Sequence, residues 1–258
     1  MSSLFDVWIA SLEQRHLADF TFREVSRALR ALSSTYVERR QKLAEGAALG
    51  TAGKRAAFAL FYGPLHYLLV AHVVNRLPGA TAHPSVLIDL GCGTGASGAA
   101  WASACDEPPR IVGIDRSAWA IGEAAATYPA FGLAARTLRA DVGSALRRAD
   151  AAAPRAILAA FTLNELSDDS REALLPQLVD CARRGDRVLI VEPIAGGVAR
   201  WWGRWRREFE RAGGRADEWR LRTTLPDVVA RLDRAAGLDH REITGRTLWV
   251  GPRPSAVS

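Results

Sequence analysis

The chain has 258 residues, with 34 Lys plus Arg against 28 Asp plus Glu for a net charge of +6, 48% hydrophobic and 24% charged residues, and three cysteines. That length fits one large domain, or one domain with an added helical part, and is enough to bury a core without staples. Wholesale disorder, collagen and a disulfide scaffold are excluded; the scattered Cys92, Cys105 and Cys181 form no clustered metal site, so no metal is expected, and they suit a reducing, cytoplasmic setting.

Residues 1–80 read as helices only. Ser3 and Asp6 make a capping pair at the first helix start. Asp6 and Glu13 interrupt the apolar residues there and no basic region precedes them, unlike a secretory signal. Phe22, Val25, Leu29, Leu32 and Tyr36 place an apolar stripe on a second helix, and Gly46, Gly50 and Gly53 mark a loop. Ala56 to Asn75 lacks Asp, Glu, Lys and Arg and is long enough to span a bilayer. It also holds Gly63-Pro64, His66, His72 and Asn75, so a buried core helix is expected and no membrane span. Gly63-Pro64 is predicted to break the run, with a longer helix starting at Pro64. Pro78-Gly79 closes this part and divides the chain into a helical lid, 1–80, and a second unit, 81–258.

From residue 86 short apolar runs alternate with helical segments, the pattern of a parallel α/β sheet. The predicted strands are Val86–Leu90, Arg110–Asp115, Leu133–Asp141, Ala156–Leu163 and Arg187–Glu192. Asp89, Asp115, Asp141, Asn164 and Glu192 end these runs, so all five are expected on one sheet edge, where open α/β folds bind ligands. A Trp/Arg-rich helix follows at about 198–212, then a helix from Pro226 capped by Thr224 and Asp227 and ended by Gly237. His240–Thr244 and Thr247–Val250, joined at Gly245-Arg246, read as a terminal hairpin.

The most informative stretch is Val86-Leu-Ile-Asp-Leu-Gly-Cys-Gly-Thr-Gly-Ala-Ser-Gly98, a strand, a glycine loop and a helix start. Glycines let a ligand approach the main chain, and the helix N-terminus offers amide donors. Gly93-x-Gly95-x-x-Gly98 also fits a dinucleotide loop. Asp89 placed two residues before Gly91, with the terminal hairpin, instead resembles motif I of the class I S-adenosylmethionine (SAM)-dependent methyltransferases. The resemblance covers about residues 86–251 and implies a Rossmann-like seven-stranded sheet with an N-terminal helical subdomain, SAM as cofactor and S-adenosylhomocysteine as product. It implies that Gly91, Cys92, Gly93 and Gly95 pass under SAM, with Cys92 a filler and not a nucleophile. Asp89 would orient the loop or meet the amino group, and Asp115 with Arg116 beside it would take the ribose. Asp141 and Val142 would meet the adenine, unless Asp141 caps the next helix, and Phe161 would border the cofactor.

Methyl transfer needs alignment and removal of a proton more than a dedicated catalytic signature. Asn164, Glu165 and Glu192 are the catalytic candidates, Glu165 serving equally well at the following helix N-terminus. Neither an Asn/Asp-Pro-Pro-Tyr tetrapeptide nor a Pro-Cys or Thr-Cys nucleophile is present. Ser26–Tyr36, Tyr62-Gly-Pro, Phe161-Thr-Leu-Asn-Glu-Leu166 and Leu189-Ile-Val-Glu-Pro193 resemble the mitochondrial small-ribosomal-subunit methyltransferase-like family and its bacterial relatives, without their cysteine cluster. That resemblance implies ribosomal RNA as acceptor and RNA or the small ribosomal subunit as partner. A small molecule or protein side chain as acceptor, or a non-catalytic SAM-binding assembly factor, are the alternatives, as monomer or homodimer.

Arg200-Trp-Trp-Gly-Arg-Trp-Arg-Arg207 either packs its tryptophans on the sheet or meets substrate through Arg204, Arg206 and Arg207. Tyr62, His66 and Tyr67 either lid the site or pack, with Tyr62 the substrate-facing candidate. Net charge is +4 over residues 1–80, −4 over 81–180 and +6 over 181–258. The acidic middle suits a cationic sulfonium, and the basic flanks favour an anionic acceptor.

Overall fold

The computed structural model describes residues 3–38, 49–148, 155–194 and 200–252. Helices α1 (Leu4–His16) and α2 (Phe22–Glu38) precede a long helix built of α3 (Ala52–Ala57), a π-helical turn (Phe58–Tyr62) and α4 (Gly63–Val74). Then follow β1 (Val86–Leu90), α5 (Ala96–Ser103), β2 (Arg110–Asp115), α6 (Ala118–Ala130), β3 (Ala135–Arg139), α7 (Val142–Arg148) and β4 (Arg155–Ala160). After a 3-10 turn (Leu163–Glu165) come α8 (Asp168–Arg183), β5 (Arg187–Glu192), α9 (Trp202–Arg211), β6 (Arg215–Leu221), α10 (Asp227–Ala236) and β7 (Ile243–Val250).

The seven strands form one sheet in the order β3-β2-β1-β4-β5-β7-β6, parallel from β3 to β5, with β7 antiparallel to both β5 and β6. Strand alternation sorts the core into two faces. Leu87, Ile111, Leu158, Leu189 and Val191 pack under α1–α6 and α10. Ile88, Val112, Ile157, Val188 and Ile190 pack under α7, α8 and α9. Successive strands are added outward on one side of β1 and then, from β4, on its other side, so the crevice for a ligand opens at the carboxyl ends of these two parallel strands.

The Ser3/Asp6 capping box forms, and Val25, Leu29 and Leu32 are buried as the stripe predicts; the side chain of Tyr36 and Gly46 lie outside the described residues. Gly53 falls within α3 and not in a loop. Gly63-Pro64 does not break its helix. Pro64 sits at the first turn of α4, where its missing N–H leaves no bond broken, and the widened turn at Phe58–Tyr62 absorbs the ring, with the Gly63 N–H reaching the Phe58 carbonyl. Ala52–Val74 is long and apolar enough to cross a membrane. Its Leu65, Leu69, Val70, Val73 and Val74 are buried in the core shared with α5, as the core-helix reading expects.

The C-terminal part departs most from expectation. Gly245-Arg246 is not a turn: β7 runs straight through it, and its antiparallel edge partner β6 comes from Arg215–Leu221, before α10. Gly245 is needed because a Cβ there would lie 2.6 Å from Leu69 Cδ2, where α4 crosses the strand. Thr224 does not cap α10, which begins after Pro226 with no side-chain cap; Gly237 ends it as expected. The third and fourth strands are shorter than predicted, ending at Arg139 and Ala160.

Candidate functional site

A cavity of about 520 Å³ opens at the carboxyl ends of β1, β2, β4 and β5. Such a volume suits a small-molecule or cofactor site. The β1–α5 loop forms its floor. Gly91 has φ +67°, and a Cβ there would collide with the Thr162 side chain, so only glycine permits this approach of the loop to the β4 segment. Thr162 Oγ1 in turn donates to the Leu90 carbonyl at 3.0 Å. A Cβ on Gly93 would meet nothing closer than the Gly91 carbonyl at 4.0 Å, so the loop offers open main chain to a ligand.

Asp115 holds this floor in shape. Its Oδ2 accepts from the Gly93 N–H at 3.1 Å and its Oδ1 from the Ser117 N–H at 2.8 Å. Its carboxylate lines the cavity with Gly91, Cys92, Gly93, Arg116, Asp141, Val142 and Phe161. Asp141 Oδ1 also accepts from the Ser144 N–H at 3.1 Å, so it both caps α7 and borders the cavity. Asp89 and Gly95 are not in the lining. Asp89 is buried behind the loop, where Tyr128 Oη donates to it at 3.1 Å and burial pushes its carboxyl up to about 7. It orients the loop; the structure does not bring it to the cavity, where it could meet an amino group. Burial likewise raises the Cys92 thiol well above its usual range, consistent with a filler.

The other end of the cavity is set by β4 and β5. Asn164, Glu165 and Glu192 line it together, as their strand-end positions predict. Glu192 is fully buried, and both its oxygens are taken: Oε1 accepts from the Leu163 N–H at 2.7 Å and Oε2 from Asn164 Nδ2 at 2.5 Å. Burial pushes its carboxyl up to about 8, against the Leu163 and Asn164 donors, which favour its charged form. Glu192 therefore holds the 163–166 segment in place from within the cavity wall. Asn164 Oδ1 accepts from Trp201 Nε1 at 3.3 Å, and Arg171 ties the Leu163 and Leu166 carbonyls to α8 at 2.9 and 2.8 Å.

The roof comes from the long helix. Arg55, Phe58, Tyr62 and His66 follow one another along the face toward the cavity, and Trp119 of α6 closes the side. The π-turn keeps these residues in line across the helix. Tyr62 lines the cavity as expected, and burial raises its hydroxyl pKa. Tyr67 does not; it stacks on Phe5 and Phe131 and fixes α1 against α6. His66 stacks on Phe161, rings 3.7 Å apart and tilted by 10°. Phe161 has φ +58°, a strained conformation for a bulky residue that aims its ring at the helix above. The cavity roles of Phe58, Trp119 and Thr162 carry no sequence motif; His66 was visible as a polar residue in an apolar helix.

Arg204, Arg206 and Arg207 lie outside the cavity lining, on the exposed side of α9. Arg204 pairs with Glu172, and Arg206 with Glu210 at 2.7 Å. The tryptophans of this segment pack: Trp205 is fully buried, Trp202 lies under Arg246 at 4.0 Å, and Trp219 Nε1 donates to Thr247 Oγ1 at 2.9 Å. Among the described residues no group of His, Cys, Asp or Glu is placed to hold a metal ion.

The residues present fit S-adenosylmethionine: an open glycine cradle, a strand-end carboxylate at β2 and an acid at β3. Residues 87–185 match the family described as a methyltransferase domain. Comparison with curated proteins returns no match. Among solved structures, an O-methyltransferase family protein from Burkholderia thailandensis is similar with TM-score 0.52 and 13% identity, over 78% of this chain and 59% of that one. A protein described as precorrin 8W decarboxylase from Methanobacterium thermoautotrophicum is similar with TM-score 0.50 and 16% identity, over 71% and 90%. These structural likenesses speak for the fold; the family match lies across the cofactor loop and β1–α8. Residues 87–185 thus carry a methyltransferase domain, set in a Rossmann-like seven-stranded sheet whose cavity fits SAM.

Proposed function

We propose that the acceptor is RNA, and specifically ribosomal RNA, with a base entering the end of the cavity walled by Phe58, Tyr62, His66 and Phe161. The observation that carries this reading is the pairing of that aromatic wall with the hydrogen-bonding groups Asn164 and Glu165 in one cavity. A planar ring with polar edges is the acceptor such a chamber suits, since stacking and edge hydrogen bonds are how single-stranded bases are held. The excess of basic side chains over residues 181–258 supports an anionic chain outside it. The resemblance of Phe161–Leu166 and Leu189–Pro193 to ribosome-associated methyltransferases supports the same reading, with the small ribosomal subunit as partner, and the scattered cysteines suit a cytoplasmic setting.

Within this reading Gly91, Gly93, Asp115, Arg116, Asp141 and Val142 hold SAM, which supplies an activated methyl group. Asn164 orients the acceptor at the β4 end, and Glu192, Trp201 and Arg171 hold Asn164. A second reading, a small-molecule acceptor, is favoured by the ion pairs that neutralise Arg204 and Arg206. Transfer of tritiated methyl from SAM to purified small-subunit ribosomal RNA separates the two. RNA as acceptor gives label that ribonuclease releases. Label that forms only with a filtrate of small metabolites establishes the second reading.

A further inference from the structure

The acceptor loses a hydrogen when a methyl group replaces it, and the polar groups at the cavity differ in what they have left to receive it. Glu192 has both oxygens occupied and is fully buried. Asp115 has both oxygens on main-chain N–H groups of the cofactor floor. Asp141 belongs to the start of α7. Asn164 is held at both ends of its amide. Glu165 lines the same end and its charge acts on Glu192. His66 also lines the cavity, and among the described residues no hydrogen bond reaches either ring nitrogen. A polar ring left unspent in an aromatic wall carries a cost unless a ligand or water meets it.

Its position is built with care. The Phe161 ring lies flat against it at 3.7 Å, and Phe58 meets its edge at 5.8 Å and 79°. The face against Phe161 depends on the left-handed backbone at Phe161, a strained conformation that persists where the surroundings enforce it. Phe161 covers one face of the imidazole and Phe58 packs roughly perpendicular to it, while the residue borders the cavity. Through Phe161, which directly follows β4, His66 stands at the side of the cavity where that strand ends.

Resting on the methyltransferase reading, we propose that His66 is a catalytic residue that receives the hydrogen of the methyl acceptor. The acceptor nitrogen or oxygen forms its new bond to the donor methyl through a lone pair. The carbon–sulfur bond breaks with its electron pair going to sulfur. The acceptor, now carrying the positive charge, gives its proton to the His66 imidazole, which passes it to water. Burial keeps the imidazole neutral until that moment, with its pKa down to about 3, so it does not repel the sulfonium cation. Once the charge has moved to the acceptor, that acceptor is a far stronger acid than before, and a weak base suffices to take its proton.

The test compares wild type, His66→Ala and His66→Gln in full-length protein. Two readouts are taken: methyl transfer from tritiated SAM, and calorimetric affinity for S-adenosylhomocysteine. The proposal expects kcat for His66→Ala to fall by about 100-fold or more, with S-adenosylhomocysteine affinity within about threefold of wild type. Added imidazole should restore part of the His66→Ala rate in proportion to its concentration and leave His66→Gln unmoved. A kcat within threefold of wild type, or a loss of rate matched by a loss of S-adenosylhomocysteine affinity and untouched by imidazole, overturns it. The ratio of variant to wild type is read on whichever acceptor the wild type methylates, RNA or filtrate. The acceptor class can therefore fail without the His66 assignment failing, and the reverse.

Discussion

The side-chain amide of Asn164 donates to Glu192 across 2.5 Å and turns its oxygen to the Trp201 indole N–H. An indole N–H can only donate, so it fixes which end of the amide faces which neighbour. The α9 entrance thereby sets the orientation of a cavity residue that sits 37 positions earlier in the chain. Trp201→Phe keeps most of the packing and removes that one donor. It should lower kcat by about 10-fold while S-adenosylhomocysteine affinity stays unchanged, read by steady-state kinetics beside calorimetry. Equal losses in both would mean that Trp201 serves only to pack.

Glu192 gives the fold a pH signature. Its carboxyl is pushed up to about 8 from a usual value of 4.5, so the folded state holds a proton that the unfolded chain releases. Its contribution is fully present below pH 4.5 and is lost as pH rises through about 8. Asp89, pushed up to about 7, acts in the same direction. Urea unfolding at pH 5, 7 and 9 should show wild type losing stability with rising pH. Glu192→Gln should remove up to about 1.4 kcal/mol per pH unit of that slope within the window. An unchanged slope would show that Glu192 is ionised in the native protein.

Gly91→Ala tests the floor of the site. The substitution places a Cβ into Thr162 at a positive φ, so two costs combine. Thermal unfolding should show a loss of about 2 kcal/mol or more. Pairing it with Thr162→Ala, which removes the collision and leaves the φ cost, should recover part of that loss. No recovery would place the strain elsewhere.

The strand ends are legible in the sequence because β1, β2, β4 and β5 run apolar toward a polar residue, and Asp89, Asp115, Asp141, Asn164 and Glu192 all reach the expected edge. Whether such a residue faces the cavity or the interior is not legible in sequence: Asp89 turns inward, where Tyr128 offers it a donor, while Glu192 stays in the cavity wall. β6 was missed because Arg215–Leu221 alternates weakly and carries four charged residues, as an edge strand can. Gly245 reads like a turn residue in sequence, yet its reason is Leu69 of the crossing helix, whose Cδ2 would lie 2.6 Å from a Cβ placed there. The unbroken helix through Gly63-Pro64 depends on a π-turn that no local propensity announces, and that turn carries the aromatic roof.

The exposed arginines of α9 bear on the acceptor. Arg204→Ala/Arg206→Ala/Arg207→Ala should weaken RNA binding and reduce the slope of log affinity against log salt by about 2, if all three meet phosphates. Filter binding at several salt concentrations measures it. An unchanged slope would favour the small-molecule reading, in which these side chains serve their own glutamates.

The central claim is that the β1–α5 glycine loop and Asp115 form the cofactor site. Calorimetric titration of S-adenosylhomocysteine into wild type and Asp115→Ala tests it most directly. Asp115→Ala removes the acceptor that holds the Gly93 and Ser117 N–H groups and that would meet the ribose. Two charge-assisted hydrogen bonds at roughly 1.5 kcal/mol each correspond to a loss of about 100-fold in affinity. The account predicts measurable binding to wild type and a loss of that order in the variant. Affinity in Asp115→Ala equal to that of wild type would contradict it.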